Sequence, residues 1–199
     1  MTAIVDYDTG NLRSVADALR RVDAEFTVTA DPEALRRADR VLLPGVGEAS
    51  SAMAKLRERG LDKVIPALTQ PVLGICIGMQ LMCLDSEEGS ARCLGIFPAH
   101  VVRLGGGAPA AENPLKIPHV GWNTIGRLRG PLFEGIGEQT YVYYVHSYAA
   151  QVCAATDAVT DYGGTFSAAL GCGNFFGTQF HPEKSGQAGE RILRNFLKL

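Results

Sequence analysis

The chain has 199 residues, 46% of them hydrophobic, which suits one compact α/β domain with a full core. A formal net charge of −2 gives no polybasic field for nucleic acid or anionic lipid, and no apolar run reaches the about 18–20 residues needed to span a bilayer. The five cysteines (76, 83, 93, 153 and 172) have neither CxxC nor zinc-ribbon spacing, and no charged segment with an apolar stretch opens the chain. They read as reduced thiols of a cytoplasmic protein, four of them packing residues, with no metal and no cofactor expected.

The first half alternates strand-like and helix-like segments. Residues 3–7 form a short strand that ends at the turn Asp8-Thr9-Gly10. Asn11 is placed to cap a helix over 11–22, with Leu12, Val15, Ala16 and Leu19 at helical spacing. A strand at 26–29 precedes a helix that opens on Asp31-Pro32-Glu33, with Asp as cap and Pro in the first turn. A third strand, 40–43, is stopped by Pro44-Gly45-Val46-Gly47. Helices over 50–59 and 61–68 lead to a strand at 72–75. Such alternation implies an open, mostly parallel sheet with helices on both faces. From about residue 95 the segments become short, aromatic and β-branched, as in 141–145 and 175–180. They read as a smaller antiparallel or mixed β portion. Residues 105–109 form a glycine-rich loop, and a helix over 188–197 closes the chain.

The chemistry concentrates at Gly74-Ile75-Cys76-Ile77-Gly78-Met79-Gln80. An apolar strand ending on a cysteine flanked by glycines at two residues either side has the form of a nucleophile elbow. Glycines at 74 and 78 let strand and helix approach closely. The N–H groups that follow, Ile77 first, open a helix and can favour a thiolate or receive an oxyanion. Met79 and Met82 read as core residues. A base for the thiol is offered by Gln179-Phe180-His181-Pro182-Glu183. In extended chain, residues two apart face the same side, so His181 and Glu183 can present imidazole and carboxylate together. Roles rather than chain order define a triad, and Cys76, His181 and Glu183 fill them. The strip Pro44 to Gly47 also ends a strand and can supply a second oxyanion donor from Val46 or Gly47. A lone cysteine turn or a lone His-Pro-Glu is ordinarily structural; together on a parallel sheet, whose strand C-termini form the active edge, they reinforce each other.

At these residues the sequence resembles the class I glutamine amidotransferases, over nearly the whole chain. The matching segments are Asp8 to Leu12, Pro44 to Gly47, Gly74 to Gln80, Lys116-Ile117-Pro118-His119-Val120-Gly121-Trp122-Asn123, Tyr144-Val145-His146-Ser147-Tyr148 and Gln179 to Ser185. The Pro-His-x-Gly-Trp-Asn and Val-His-Ser-Tyr segments narrow the likeness to the glutaminase subunits of histidine biosynthesis, the imidazole glycerol phosphate synthase branch. One departure is Glu48-Ala49, where many members carry an aromatic residue. The resemblance implies a single glutamine amidotransferase domain over 1–199. It implies glutamine hydrolysis through a Cys76 thioester and transfer of ammonia to a (β/α)8-barrel cyclase in a heterodimer. It also places Gly47, Gln80, His146, Ser147 and Tyr148 around the substrate. Asn11, Arg13, His119, Trp122, Tyr143 and Lys184 are assigned to the partner interface on the same ground. An α/β-hydrolase would place its acid before its histidine, and an inactive binding module has no need of all three triad groups.

Overall fold

A computed structural model describes residues 1–8, 11–105 and 115–199. Part of the expected Asp8-Thr9-Gly10 turn and residues 106–109 of the glycine-rich loop lie outside the described residues. The first half runs β1 (Thr2–Val5), α1 (Leu12–Arg21), β2 (Phe26–Thr29), α2 (Pro32–Arg37), β3 (Arg40–Gly45), α3 (Ala49–Glu58), α4 (Leu61–Val64), β4 (Val72–Cys76) and α5 (Ile77–Leu81). It continues through β5 (Asp85–Ser86), β6 (Ala91–Arg92), β7 (His100–Arg103), β8 (His119–Ile125), β9 (Thr140–His146) and β10 (Tyr148–Ala150). The chain ends with β11 (Thr156–Asp161), β12 (Thr165–Cys172), β13 (Phe175–Thr178) and α6 (Gly186–Phe196).

The main sheet has the order β11-β12-β13-β4-β3-β1-β2. The five strands from β13 to β2 are parallel, and β12 and β11 extend them antiparallel. The step from β1 to β2 goes one way along the sheet and that from β3 to β4 the other. With right-handed crossovers, α1 and α3 therefore cover opposite faces. A four-stranded mixed sheet (β10-β7-β5-β6) and the antiparallel ribbon β8-β9 stand beside it. Strands β1 and β4 are buried at every residue, as parallel strands covered on both faces must be.

The local signals in the sequence act as expected in α2, where the Asp31 carboxylate accepts the N–H groups of Glu33 and Ala34 at 3.2 and 3.1 Å. Three expectations are corrected. Asn11 makes no capping bond to α1; its amide goes elsewhere. β3 does not stop before Pro44 but runs to Gly45, with Pro44 opposite Ile75 and Gly45 opposite Cys76. The pairing of β3 with β1 ends at Leu42, so the N–H that Pro44 lacks is not needed on that side. Of the four thiols expected to be packing residues, Cys83 is buried and Cys93 and Cys153 pack half-buried against the core, but Cys172 is exposed at the end of β12.

The joint between β4 and α5 fixes the positions of everything nearby. A Cβ at Gly74 would lie 2.7 Å from the backbone of Gly78, and one at Gly78 would overlap the Leu43 carbonyl oxygen of β3. Gly78→Ala is expected to destabilise the fold by about 3 kcal/mol, because backbone cannot move aside as a side chain can. Urea unfolding monitored by circular dichroism measures it.

Candidate active site

Cys76 closes β4 at φ 54° and ψ −109°, a conformation that residues with a Cβ avoid. The turn leaves the thiol at the C-terminal edge of the sheet, beneath a cavity of about 270 Å3. Its Sγ lies 3.9 Å from the Val145 carbonyl, to which the thiol donates, and accepts from the Gln179 amide at 3.7 Å. Ile77 opens α5 and has no carbonyl one turn back within the helix to occupy its N–H.

His181 arrives from β13. That strand pairs with β4 in parallel, Thr178 opposite Ile75, so the residues that follow rise to the level of Cys76. Nδ1 of His181 donates to Glu183 Oε1 at 2.7 Å, and both side chains are out of contact with water. Asn11 Nδ2 donates to the same oxygen at 2.6 Å, and Arg21 donates to the Glu183 carbonyl at 3.1 Å. The backbone around the base is pinned by β9: His181 N–H donates to the Tyr143 carbonyl at 2.9 Å, and Tyr143 N–H to Ser185 Oγ at 3.0 Å. Burial alone would lower the imidazole, but hydrogen bonding and charge from Cys76 and Glu183 outweigh it and raise His181 to about 10. Nε2 nevertheless has no aligned hydrogen-bond partner among the described residues, so the Glu183 carboxylate bonded to Nδ1 is the cause the geometry supports.

Val46, Gly47, Cys76, Ile77, Gln80, His146, Ser147, Tyr148 and His181 line the cavity, which brings together every residue assigned in sequence to the oxyanion and substrate sites. Gly47 takes φ 103°, which only glycine adopts without strain, two residues after the Gly45–Cys76 pair. Gln80 is buried; its amide donates to the Tyr148 carbonyl at 2.8 Å and to Gln179 Oε1 at 2.9 Å, and its own Oε1 has no partner among the described residues. Three cavity-lining residues escaped the sequence reading: Glu88, Pro118 and Val145. Glu88 brings a carboxylate that burial pushes up; the acidic pair Glu87-Glu88 shortly after the elbow was the available signal.

Behind the cavity, His146 and His119 form a pair whose protons can be assigned. A carbonyl only accepts, so His146 Nδ1, 2.8 Å from the Tyr148 carbonyl, carries the hydrogen and Nε2 is the acceptor. His119 Nδ1, 3.0 Å away, therefore donates to it. His119 is buried with its ring stacked on Tyr162 and Tyr144, so it does not share the exposed face to which the sequence assigned it. Burial lowers both imidazoles to about 4.

Residues 3–199 match the family model of class-I glutamine amidotransferases. The chain belongs to that family. Among its relatives is the imidazole glycerol phosphate synthase subunit HisH of Bacteroides thetaiotaomicron, 54% identical over 197 residues that cover 99% of this chain and 98% of that protein. The subunit of the same name from Yersinia pestis is 46% identical, over 98% of this chain and 99% of that one. Solved structures share the fold. A putative GMP synthase component from Thermoplasma acidophilum matches with a TM-score of 0.75 at 21% identity, over 100% of this chain and 92% of that one. PurLQS from Thermotoga maritima matches at 0.70 and 17% identity, over 99% and 97%.

In this amidotransferase the exposed face of the β8-β9 ribbon carries Val120, Trp122, Tyr141 and Val145. Trp122 stands opposite Tyr143, and the Lys184 ammonium lies 5.8 Å above the Tyr143 ring. Arg13 is exposed on α1, whereas Asn11 is turned inward onto Glu183. The histidine pair sets an acid limit on stability. Both groups stay neutral when folded and bind protons when unfolded, so stability is lost as pH falls from about 6.5 toward 4. The loss is expected to reach about 1–2 kcal/mol per histidine at pH 5. Urea unfolding at pH 7.5 and 5.0 checks this, and His119→Phe should shrink the difference.

Proposed function

We propose that the chain, read as one domain over 1–199, is the glutaminase subunit of imidazole glycerol phosphate synthase in histidine biosynthesis. It hydrolyses glutamine to glutamate and ammonia. The ammonia passes to a (β/α)8-barrel cyclase subunit in a heterodimer, where it enters imidazole glycerol phosphate and leaves aminoimidazole carboxamide ribonucleotide. The observation that carries the activity is Cys76 at φ 54° under a cavity it shares with His181, itself bonded to Glu183. The relatives' names, which make each a subunit of imidazole glycerol phosphate synthase, support the pathway and the presence of a partner subunit. Action in the cytoplasm, with five free thiols, belongs to the same reading.

The mechanism follows from the geometry. Cys76 gives its thiol proton to His181 Nε2 and the sulfur attacks the carboxamide carbon as thiolate; the oxyanion that forms is held by Ile77 N–H and by an N–H of the strip at Val46 or Gly47. Each such donor is worth roughly 3–4 kcal/mol to the transition state. His181, kept in its proton-bearing form by Glu183, gives its Nε2 proton to the departing nitrogen, which leaves as ammonia. It then takes a proton from water, which attacks the thioester; sulfur leaves and glutamate is released. Gln80 Oε1, buried and without a partner among the described residues, offers an acceptor to the substrate, as do the groups of His146, Ser147 and Tyr148. Glu88 offers a carboxylate to the substrate's ammonium. For docking we assign Trp122, Tyr143 and Lys184, with Arg13 at the margin; the Asn11 amide is committed to Glu183.

Cys76→Ala is expected to abolish glutamine hydrolysis while the complex still makes product from added ammonium salt. Retention of glutamine-dependent synthesis by that variant would overturn the nucleophile assignment. Trp122→Ala is expected to weaken cyclase binding by about 2 kcal/mol, since an exposed tryptophan fits the profile of an interface anchor. Titration calorimetry reads it. Hydrolysis by the isolated chain should be slower than in the complex with cyclase ligand present, because the glycine-flanked strip is free to rotate its peptide until a partner fixes it. Equal turnover in both states would remove that regulation from the proposal.

A further inference from the structure

One polar contact of Cys76 plays no part in that mechanism. Gln179 is fully buried, follows the last residue of β13, and comes level with Cys76 because Thr178 pairs with Ile75. The orientation of its amide is fixed by its neighbours. The Tyr148 carbonyl can only accept, so the Gln80 group 2.8 Å from it is the NH2. That same NH2 lies 2.9 Å from Gln179, so the Gln179 atom there is the oxygen. The remaining terminal atom, 3.7 Å from Cys76 Sγ, is therefore an NH2 donor aimed at the sulfur. Sγ has no other side-chain hydrogen-bond donor among the described residues, since Nε2 of His181 is not aligned with it.

We infer that Gln179 is a positioning residue for the nucleophile: its amide, locked by Gln80, holds the Cys76 sulfur and stabilises it as the anion. The inference rests on Cys76 being the nucleophile. A thiol donating to the Val145 carbonyl must give up that bond on ionising, whereas an N–H donor to sulfur becomes stronger when the sulfur gains charge. The charged and titratable groups around Sγ are His181 and Glu183 from the turn after β13, His146 from β9, Tyr148 from β10, Glu88 from the turn after β5, and the N-terminal end of α5. Gln179 adds a neutral dipole to that set, and one that no protonation can switch off.

The test is the pH profile of Cys76 alkylation by iodoacetamide in the full chain, read by peptide mass spectrometry, with exposed Cys172 as the internal reference. Two variants are compared with wild type, together with their thermal midpoints. Gln179→Leu removes the donor. Gln179→Glu keeps size and the acceptor for Gln80, and so serves where the leucine variant folds poorly. Both are expected to alkylate about tenfold more slowly at pH 7, the loss of one hydrogen bond to a charged group. Their Cys76 profiles should move to higher pH while Cys172 stays in place. In the cyclase complex kcat for glutamine hydrolysis should fall with KM nearly unchanged. Cys76 profiles that coincide with wild type in both variants overturn the inference. Cys76→Ala keeps the two readings apart: full glutamine hydrolysis there refutes the nucleophile, while its loss beside unmoved Gln179 profiles refutes only the role of Gln179.

Discussion

The structure depends on one backbone constraint, the turn that takes β4 into α5 at Cys76. A cysteine at φ 54° costs about 1–3 kcal/mol relative to an ordinary conformation. The fold holds it there from three sides. Gly78 packs its bare Cα under the Leu43 carbonyl of β3, Gly74 leaves room for the Gly78 backbone and for Met82, and Gly177 of β13 does the same for Met79. Buried parallel strands β3 and β13 flank β4 and fix its register. The strained residue is thus the point where the central strand, its two neighbours and a helix meet, and a side chain there can project from the sheet edge instead of into a layer.

The same three strands deliver the other chemical groups, because parallel strands all end on one edge. β3 ends at Gly45 beside Cys76 and releases the Val46-Gly47 strip over the cavity. β13 ends one residue short of Cys76 and continues through Gln179 to His181 and Glu183. Contrary to the expectation from sequence, the chain is not extended throughout: it bends at Gln179 and Phe180, and a 3-10 turn over Pro182–Lys184 folds Glu183 back onto His181. Gln179 meets the sulfur while His181 meets Glu183. Electrostatics then divides the histidines by their partners. His181, with a carboxylate and a sulfur beside it, is raised; His119 is lowered by burial, and His146 by burial together with the charge of the other two histidines. Three buried imidazoles in one chain hold different protonation states at the same pH for that reason.

The elements that carry their own local signal were legible in the sequence. The strand-cysteine-glycine pattern gave the elbow, the Asp31-Pro32 pair gave the start of α2, and His181 with Glu183 two residues later gave the bonded imidazole and carboxylate. What the sequence withheld was set by long-range packing. Nothing local to the β12-β13 hairpin announces that the free edge of β13 lies parallel to β4, although that placement brings His181 to Cys76. Asn11 carries the signature of a helix cap, but 172 residues separate it from the carboxylate it binds. Pro44 looked like a strand terminator because local sequence does not reveal which edge of β3 lacks a partner beyond Leu42. His119, in a motif otherwise exposed at Trp122 and Val120, is buried because alternate residues of a ribbon face opposite sides and its side meets Tyr144 and Tyr162.

The ribbon itself joins surface to chemistry through very few bonds. Tyr143 presents its ring outward under Lys184, while its backbone carbonyl accepts from His181 N–H and its N–H is held by Ser185, whose hydroxyl donates to the His181 carbonyl. The opposite side of β8 and β9 carries His119 and His146, and from His146 the bonds run through the Tyr148 carbonyl to Gln80 and Gln179 and end on the Cys76 sulfur. The ribbon is thus tied to His181 through the β9 backbone and to Cys76 through a buried polar chain. Every donor and acceptor along that chain is fixed by a carbonyl that can only accept, so the chain cannot invert its direction without breaking. The two sides of one ribbon therefore hold Cys76 and His181 through separate sets of bonds, the inner side through His146 and the Tyr148 carbonyl and the outer strand through the Tyr143 backbone.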